Sequence, residues 1–270
     1  MAEDKLCASI TVSVVSHGHG SLLLRLLAQL NAQPSLLGVR VVITLNLSTE
    51  AFDPTPYSLL DLQVLRNERP KGFGANHNAA FRLCESAWFA VLNPDLALVD
   101  QEPFTGMLAR LVVADGDANA PAARAGLIAP RVISADFVPE DSVRANLTPW
   151  SLLKRAGGRR VPLQPMAQAQ RGGPFFWLAG MCLLTRAAAF QEVGGFDERF
   201  FLYCEDYDLC ARLYNAGYAI RFDPHERVMH EAQRDSHRRW RHLRWHLTSL
   251  MKVWFSTAYW RVTITAPSLP

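Results

Sequence analysis

The sequence predicts an α/β fold with a mostly parallel central sheet flanked by helices, and three observations support this class. Apolar, β-branched runs at Ile10–Ser16 and residues 39–45 are typical of buried parallel strands. Segments with apolar residues at helical spacing, Ser21–Asn31 and residues 74–86, alternate with such strands. The 270 residues are 49% hydrophobic and 20% charged, which suits one large domain or two small ones and excludes a globally disordered chain.

The remaining elements follow in order. Residues 62–65 form a short third strand, and the next strand begins at Trp88 and stops at Asn93-Pro94-Asp95. The composition of residues 114–125 predicts a surface loop, and residues 128–133 a strand. Residues 134–170 carry many prolines and predict a partly ordered lid. We expect strands around Gly180 within residues 175–185, a helix over 206–216 ending at Gly217, a strand over 218–222 and one long amphipathic helix over 236–257.

Composition also excludes several classes of protein. The net charge of +3 gives no indication of a nucleic-acid partner. The five cysteines show no CxxC spacing, so we expect free thiols in a reducing compartment. The N-terminus lacks a basic region followed by an apolar core, which predicts no signal peptide. No apolar run approaches the roughly 18 residues that a membrane span needs.

Polar residues follow the predicted strands at the edge where parallel sheets bind ligands. They are His17, Asn46, Asn67 and Asp95. A carboxylate at a strand end, such as Asp95, can hold a divalent cation. Asn-Pro and Pro-Asp are also common turn formers, so a turn without chemical function is the alternative for residues 93–95.

A second group of acids opens the predicted helix near residue 206. Glu205, Asp206 and Asp208 lie in its first turn, where the helix dipole keeps a carboxylate ionised and able to act as a base. Dipole stabilisation alone explains one or two of these acids. An aromatic segment with Phe200, Phe201 and Tyr203 precedes them, which favours a platform that presents the acids to a pocket. Spacing alone does not separate the three acids.

Three segments together resemble the inverting family 2 glycosyltransferases of GT-A fold, in the rhamnosyltransferase-like branch. They are GGFDERFFLYCEDYDLCARLYNAGY at residues 194–218, LNPD at 92–95 and NERPKGFGANHN at 67–78. The resemblance covers roughly residues 9–236. It implies transfer of a sugar, with rhamnose as a candidate, from a nucleoside-diphosphate sugar to a glycan or lipid-linked acceptor, with Mg²⁺ or Mn²⁺ and inversion at the anomeric carbon. It further implies polysaccharide synthesis at the cytoplasmic face of the cell membrane.

The resemblance also implies roles for individual residues. Asp95 corresponds to the metal-binding acid of the DxD motif, and His230 to a histidine that often completes the metal site. Asp206 corresponds to the catalytic base, with Glu205 beside it. The expected donor-binding residues are Ser16, His17, Asn46, Asn67, Gly74, Asn78, Asn93 and Asp95. The expected acceptor-binding residues are Gly180, Glu205 and Asp208.

Some residues depart from the family pattern. Asn93 replaces the first acid of DxD, and Leu45 lies where an acid usually contacts the nucleobase. The segment Ser16-His17-Gly18-His19 replaces the commoner Ser-Tyr-Asn. A loop or nucleotide-stacking role and a metal role are both open for His17 and His19. His230 is either a metal ligand or a satisfied polar residue. The glycine-rich residues 71–74 form either a phosphate-binding turn or a flexible strand–helix turn.

We expect a glycosyltransferase domain at residues 1–235, with a nucleotide-sugar-binding half at 1–113, an acceptor half at 126–235 and a helical extension at 236–270. Five arginines and two histidines lie between residues 234 and 244, ahead of an apolar segment. This pattern predicts peripheral contact with an anionic membrane, and a helix packed on the domain or on a second subunit is the alternative. Two other functions are weighed: a sugar-phosphate nucleotidyltransferase, for which a basic N-terminal loop is missing, and a non-catalytic nucleotide-sugar-binding module.

Overall fold

The computed structural model describes residues 9–116, 124–157, 168–231 and 239–267. The N-terminal half alternates strands and helices, as predicted. Its elements are β1 (Ile10–Ser16), α1 (Ser21–Asn31), β2 (Arg40–Leu45), β3 (Asp61–Arg66), α2 (Phe73–Phe81) and β4 (Trp88–Leu92). Strands β3, β2, β1 and β4 lie side by side and are parallel. Their carboxyl ends therefore meet at one edge of the sheet.

The second half adds shorter strands and more helices. Its elements are β5 (Leu96–Leu98), α3 (Pro103–Gly116), β6 (Ala125–Ile133), β7 (Val143–Ala145), α4 (Pro149–Ala156), β8 (Gln168–Ala169), β9 (Phe176–Leu178), β10 (Cys182–Arg186), α5 (Ala187–Glu192), α6 (Glu205–Asn215), β11 (Ala219–His230), α7 (Arg239–Trp254) and α8 (Thr257–Thr265).

One mixed sheet joins the two halves. Over the described ranges its order is β3-β2-β1-β4-β10-β6-β11-β5, with β8 paired to β11. Strand β10 is antiparallel to both β4 and β6, so it is the seam between the halves. Strands β7 and β9 form a separate antiparallel pair. The second half of the protein is thus built onto the open side of β4, next to residues 93–95.

Apolar cores cover both faces of the sheet, because side chains alternate along each strand. Ile10, Val12 and Val14 of β1 point to one face and pack with the buried leucines of α1. Phe89 and Val91 of β4 point to the other face, where their cluster includes Phe190, Phe196 and Tyr207. This second cluster anchors the segment that carries the acids at the start of α6.

Several sequence-predicted bounds were wrong. Strand β11 continues to His230 rather than ending at residue 222, with a register shift after Asp223. The helix predicted over 236–257 corresponds to α7, and a second helix, α8, follows it that was not predicted; the Ser256 hydroxyl accepts a hydrogen bond from the Tyr259 amide and caps α8. Helix α2 ends at Phe81 rather than near residue 86.

Helix α3 extends into the predicted loop at 114–125, and residues 117–123 of that loop lie outside the described residues. The predicted lid at 134–170 contains β7 and α4, and its residues 158–167 likewise lie outside them. Cys84, Cys182, Cys204 and Cys210 are free thiols, as predicted, whereas Cys7 is not described. In the described ranges, no helix has both the length and the apolar composition that a membrane crossing requires.

Candidate active site

The donor edge, formed where β1, β2, β3 and β4 end, holds most of the predicted donor-binding residues. The Asn46 side-chain oxygen accepts hydrogen bonds from the Lys71 amide at 2.8 Å and the Asn67 side-chain amide at 2.8 Å. The Asn67 amide also donates to Asn76 Oδ1 at 2.7 Å. All three asparagines are buried. They therefore fix the shape of the loop that follows β3, since a buried amide left unpaired is costly.

Glu50 is a residue at this edge that the sequence analysis missed. The Ser16 hydroxyl donates to Glu50 Oε1, and the Gly18 amide donates to Glu50 Oε2 at 3.0 Å. His17 Nδ1 lies 3.2 Å from the Asn46 side-chain amide. A carboxylate is thus present at the donor edge although Leu45, at the end of β2, replaces the acid expected there. The sequence could have indicated Glu50 as a residue of this edge, because Glu50 follows the end of β2 by only five residues.

His19 lies in the same loop and faces the strand-end acids. Its amide donates to the Ser16 hydroxyl at 3.2 Å, and its Nδ1 accepts from the His17 amide at 2.9 Å. Burial lowers the pKa of His19, against the attraction of Asp95 and Glu50. These contacts within the loop favour a loop role for His17 and His19.

Asp95 and His230 form the candidate cation site. His230 Nε2 lies 3.4 Å from Asp95 Oδ2, and His230 Nδ1 lies 3.0 Å from Glu140 Oε2. Burial lowers the pKa of His230, but hydrogen bonding and attraction from Asp95 and then Glu140 outweigh it, so the pKa is raised above 6.5.

The donor set of this site suits Mg²⁺ or Mn²⁺. Asp95 Oδ1 is buried and has no hydrogen-bond partner. Glu140 orients the His230 ring in the way a carboxylate orients a metal-binding histidine. Two protein ligands, with the remaining positions filled by diphosphate oxygens and water, are typical of Mg²⁺ sites in nucleotide enzymes.

The segment Gly180–Met181 joins the strand-end residues to the acids of α6. The Gly180 amide donates to Asp206 Oδ2 at 2.9 Å, and the Asn93 amide donates to the Met181 carbonyl at 2.9 Å. Asn93, Gly180 and Asp206 were predicted as site residues, and these two bonds bring them together from three parts of the chain.

Asp206 and Glu205 differ in their environments although they are neighbours. Asp206 is partly exposed and accepts hydrogen bonds from the Gly180 and Tyr207 amides, the latter at 2.8 Å. Burial raises the pKa of Asp206, while Arg144 and these amides lower it. Burial and then the neighbouring Asp206 charge raise the pKa of Glu205 well above 4.5. Glu205 Oε2 is also buried without a partner. Of the two carboxyls, Glu205 therefore holds its proton more tightly than Asp206.

A left-handed turn places these acids at the start of α6. Tyr203 and Cys204 have φ values of 73° and 65°, a conformation uncommon outside glycine. The Tyr203 ring stacks on His246 of α7 at 3.5 Å, and its hydroxyl lies 2.5 Å from His242 Nδ1. The Ser249 hydroxyl donates to the Leu202 carbonyl at 3.0 Å. Helix α7 therefore braces the turn, a role that the sequence did not indicate.

Asp208 is not brought to the other predicted acceptor residues. It accepts a hydrogen bond from Arg212 Nε at 2.7 Å and lines a cavity of about 520 Å³ beside Asp197 and Arg199. A smaller cavity of about 200 Å³ adjoins Glu205 and Asp206 instead. The smaller cavity is the candidate reaction site, because Glu205 and Asp206 line it, whereas the charged residues of the larger cavity pair with one another.

Gly74 and Asn78, two further predicted donor-binding residues, contact the segment that precedes the acids. Asn78 Oδ1 accepts from the Phe196 amide at 2.9 Å, and Asn78 Nδ2 donates to the Phe196 carbonyl at 2.8 Å. A Cβ added at Gly74 would lie 2.6 Å from Phe196 Cβ, and one at Gly72 would lie 2.7 Å from the Phe201 carbonyl oxygen. These glycines permit close packing, which favours a structural over a phosphate-binding role for residues 71–74.

Comparisons with known proteins agree with this architecture. A family model described as glycosyl transferase family group 2 matches residues 163–269. An N-acetylglucosaminyl-diphospho-decaprenol L-rhamnosyltransferase of Mycobacterium tuberculosis is 32% identical over 248 residues, covering 82% of this chain and 75% of the relative.

Two solved structures share the fold at low sequence identity. A mannosyltransferase from Pyrobaculum calidifontis, in complex with GDP-Man and Mn²⁺, aligns with a TM-score of 0.59 and 16% identity, over 90% of this chain and 63% of that one. GalNAc-T7 with UDP, GalNAc and Mn²⁺ aligns with a TM-score of 0.61 and 16% identity, over 84% of this chain and 44% of that one. The chain thus spans less than two thirds of either solved structure.

The fold is that of the GT-A glycosyltransferases. The chain belongs to the family 2 glycosyltransferases, in their rhamnosyltransferase-like branch. The predicted glycosyltransferase activity is confirmed, and it is favoured over the two alternatives, a sugar-phosphate nucleotidyltransferase and a non-catalytic binding module.

Proposed function

We propose that the protein transfers a sugar, with rhamnose as the first candidate, from a nucleoside-diphosphate sugar to a hydroxyl group of a lipid-linked glycan, with inversion, in cell-surface polysaccharide synthesis. The name of the mycobacterial relative supports both the sugar and the acceptor class. The observation that carries the proposal is the Gly180–Met181 bridge. It holds Asp206 on one side and Asn93, two residues from Asp95, on the other.

In this reaction Asp206 accepts the proton of the acceptor hydroxyl as its oxygen attacks the anomeric carbon. The Gly180 and Tyr207 amides orient the Asp206 carboxylate, and burial raises its pKa, which strengthens it as a base. Burial and the Asp206 charge raise the pKa of Glu205 further, which favours Asp206 over Glu205 as the ionised base. The transition state resembles an oxocarbenium ion, as in glycoside hydrolysis.

Asp95 and His230 would hold the divalent cation, with Glu140 orienting the His230 ring. When bound, the cation neutralises charge that develops on the leaving diphosphate. Ser16, His17 and Glu50, together with the Asn46–Asn67–Asn76 network, would form the floor of the nucleotide site.

The direct test is a product assay. The protein is incubated with a panel of nucleoside-diphosphate sugars and an N-acetylglucosaminyl-diphospho-polyprenol, with and without Mn²⁺, and the product is analysed by mass spectrometry and NMR. We expect Mn²⁺-dependent transfer with an inverted anomeric configuration. Retention of configuration, or transfer only to water, would contradict the proposal.

We also propose peripheral attachment to an anionic membrane through α7 and α8. Exposed apolar residues recur every three or four positions along α7 and form the apolar stripe, which consists of Trp240, Leu243, Leu247, Met251 and Phe255. Residues 239–267 contain five Lys or Arg and no Asp or Glu, and Arg244 and Lys252 are exposed. An apolar stripe among basic residues is typical of helices that lie on anionic membranes.

This attachment is tested by flotation with phosphatidylglycerol vesicles at low and high salt. Each Arg near an anionic membrane surface contributes about 1 kcal/mol to the free energy of binding. Replacing Arg238, Arg239, Arg241 and Arg244 with Gln should therefore weaken binding and remove its salt dependence, although Arg238 lies outside the described residues. If the protein ignores these vesicles and sediments as a dimer, the stripe is a subunit contact and the membrane proposal is wrong.

A further inference from the structure

Helix α7 has two faces with different partners. The apolar stripe occupies one face, where Trp240 is 85% exposed, and it continues to Phe255 just past the helix end. His242, His246 and Ser249, which contact residues 202 and 203, lie about half a turn away on the opposite face. One helix therefore presents apolar side chains to the outside and braces the turn before the catalytic acids on the inside.

The 200 Å³ cavity adjoins the side of α7 that lies between these two faces, and His246, Leu247 and Leu250 line it there. Its polar end carries Glu205, Asp206 and Arg144, and its apolar wall includes Leu250 and Leu247. Leu247 is 55% exposed and belongs to the apolar stripe as well as to the cavity lining. Leu247 therefore connects the apolar stripe with the cavity that Asp206 also lines.

Arg144 is held in a fixed orientation at the polar end. Its guanidinium lies 4.9 Å from the centre of the Trp177 ring, and its Nε donates to the Asp141 carbonyl at 2.7 Å. Asp141 Oδ2 is also 3.4 Å from the same nitrogen. A guanidinium anchored through stacking and Nε is pre-organised to bind the oxygens of a phosphate, because its planar fork matches their geometry.

The cavity volume limits what can enter. Ligand pockets for whole small molecules usually measure roughly 300–1,000 Å³. A cavity of about 200 Å³ is too small for a whole lipid-linked acceptor, so most of such an acceptor lies outside it. A polar oligosaccharide would leave the leucine wall without a matching surface, whereas an isoprenoid chain matches it.

Resting on the function proposed above, we propose that this cavity is the acceptor site and that the acceptor enters it from the bilayer surface. The acceptor sugar lies against Asp206, its diphosphate linker binds Arg144, and the first units of its polyisoprenoid chain lie along Leu250 and Leu247.

The test compares three acceptors that carry the same sugar. The first has a diphosphate linker and a polyprenyl chain in phosphatidylglycerol vesicles, the second has the diphosphate and a short water-soluble alkyl tail, and the third is an alkyl glycoside without phosphate. Arg144→Gln should raise KM about tenfold or more for both diphosphate acceptors, as expected for a charge-assisted hydrogen bond. It should leave KM for the alkyl glycoside almost unchanged, and Arg144→Lys should restore part of the loss.

Leu247→Gln should raise KM only for the polyprenyl acceptor. The matched control is Leu243→Gln, since Leu243 belongs to the same apolar stripe, is 48% exposed and is not among the residues that line the cavity. Arg82→Gln, at an exposed position, controls for the loss of one positive charge. Nucleoside-diphosphate binding and Tm of each variant verify that it is folded.

The outcomes separate the two proposals. If the wild-type protein transfers sugar but Arg144→Gln affects all three acceptors equally, or Leu247→Gln affects none, this acceptor site is wrong and the proposed function stands. If the wild-type protein transfers no sugar to any acceptor from any donor, both proposals are wrong.

Discussion

The two sides of the active site are assembled in different ways. The donor edge consists of residues that directly follow β1, β2, β3 and β4, within residues 16–95, and its asparagines bond mainly to one another and to nearby backbone. The acceptor side consists of Arg144, Gly180, Tyr203, Asp206 and His246, which come from separate elements of the second half.

This difference has mechanical consequences. The donor edge is held by the hydrogen bonds of a parallel sheet, which tolerate the loss of one side chain. The acceptor side depends on a left-handed turn that α7 braces from outside. Substitutions on the two sides should therefore separate binding of the nucleotide from transfer of the sugar.

The largest effect should follow from Asp206→Asn. Loss of a general base costs roughly 10²–10⁴ in rate. The donor edge is untouched, so nucleoside-diphosphate affinity should equal that of the wild type. Steady-state transfer and calorimetry measure the two quantities, and Asp136→Asn, at an exposed loop position, is the matched control. Near-normal turnover would mean that Asp206 is not the base.

On the donor side, Asp95→Ala should remove the Mn²⁺ dependence of nucleoside-diphosphate binding. Loss of groups that only orient a metal ligand lowers metal affinity about 10–100-fold. We expect at least that loss for Asp95 and a weaker one for His230→Ala. Calorimetry with and without Mn²⁺ measures it. An unchanged dependence would leave Asp95 as a turn residue only.

A smaller effect, on stability, should follow from Asn78→Ala. The Phe196 amide, at a residue only 2% exposed, would lose its acceptor, at a cost of about 1–3 kcal/mol. Tm should fall by about 2–4 °C for each kcal/mol, with nucleotide affinity in the folded protein retained. Gln191→Ala, at an exposed position, serves as the control. A loss of nucleotide affinity at unchanged Tm would instead return Asn78 to the donor site.

The smallest effect concerns pH. Burial raises the pKa of Asp206 above 3.8, and the ionised form is the base, so transfer should increase as pH rises through this elevated pKa. Arg144 favours the ionised form, and Arg144→Gln should move the low-pH limb of kcat towards higher pH. The limb is measured with the phosphate-free alkyl glycoside, so that linker binding does not contribute. If the low-pH limb of kcat stays in place or shifts to lower pH, the proposed effect of Arg144 on the pKa of Asp206 is wrong.

The donor edge was predictable from the sequence because strand periodicity fixes where strands end, and parallel strands end at the same edge. Asn46, Asn67 and Asp95 were found in this way, and Glu50 could have been. Arg144 could not, because β7 has only three residues and lies in a proline-rich segment without a period. Helix α8 was not predicted, because its start depends on a single serine cap at Ser256. Asp208 was assigned to the acceptor site because it lies two residues from Asp206 in the sequence. On α6 its side chain instead accepts a hydrogen bond from Arg212.

The close approach at Gly72 bears on protein engineering. The Phe73 amide donates to the Phe201 carbonyl at 2.9 Å, and any side chain at residue 72 would collide with that carbonyl. Chimeras that exchange donor halves between related enzymes to obtain new sugar specificities must therefore keep residues 72–74 matched to residues 196–201. A swap that imports a bulkier residue at position 72 would displace the catalytic turn and cost activity with every donor, however well the new nucleotide site is formed.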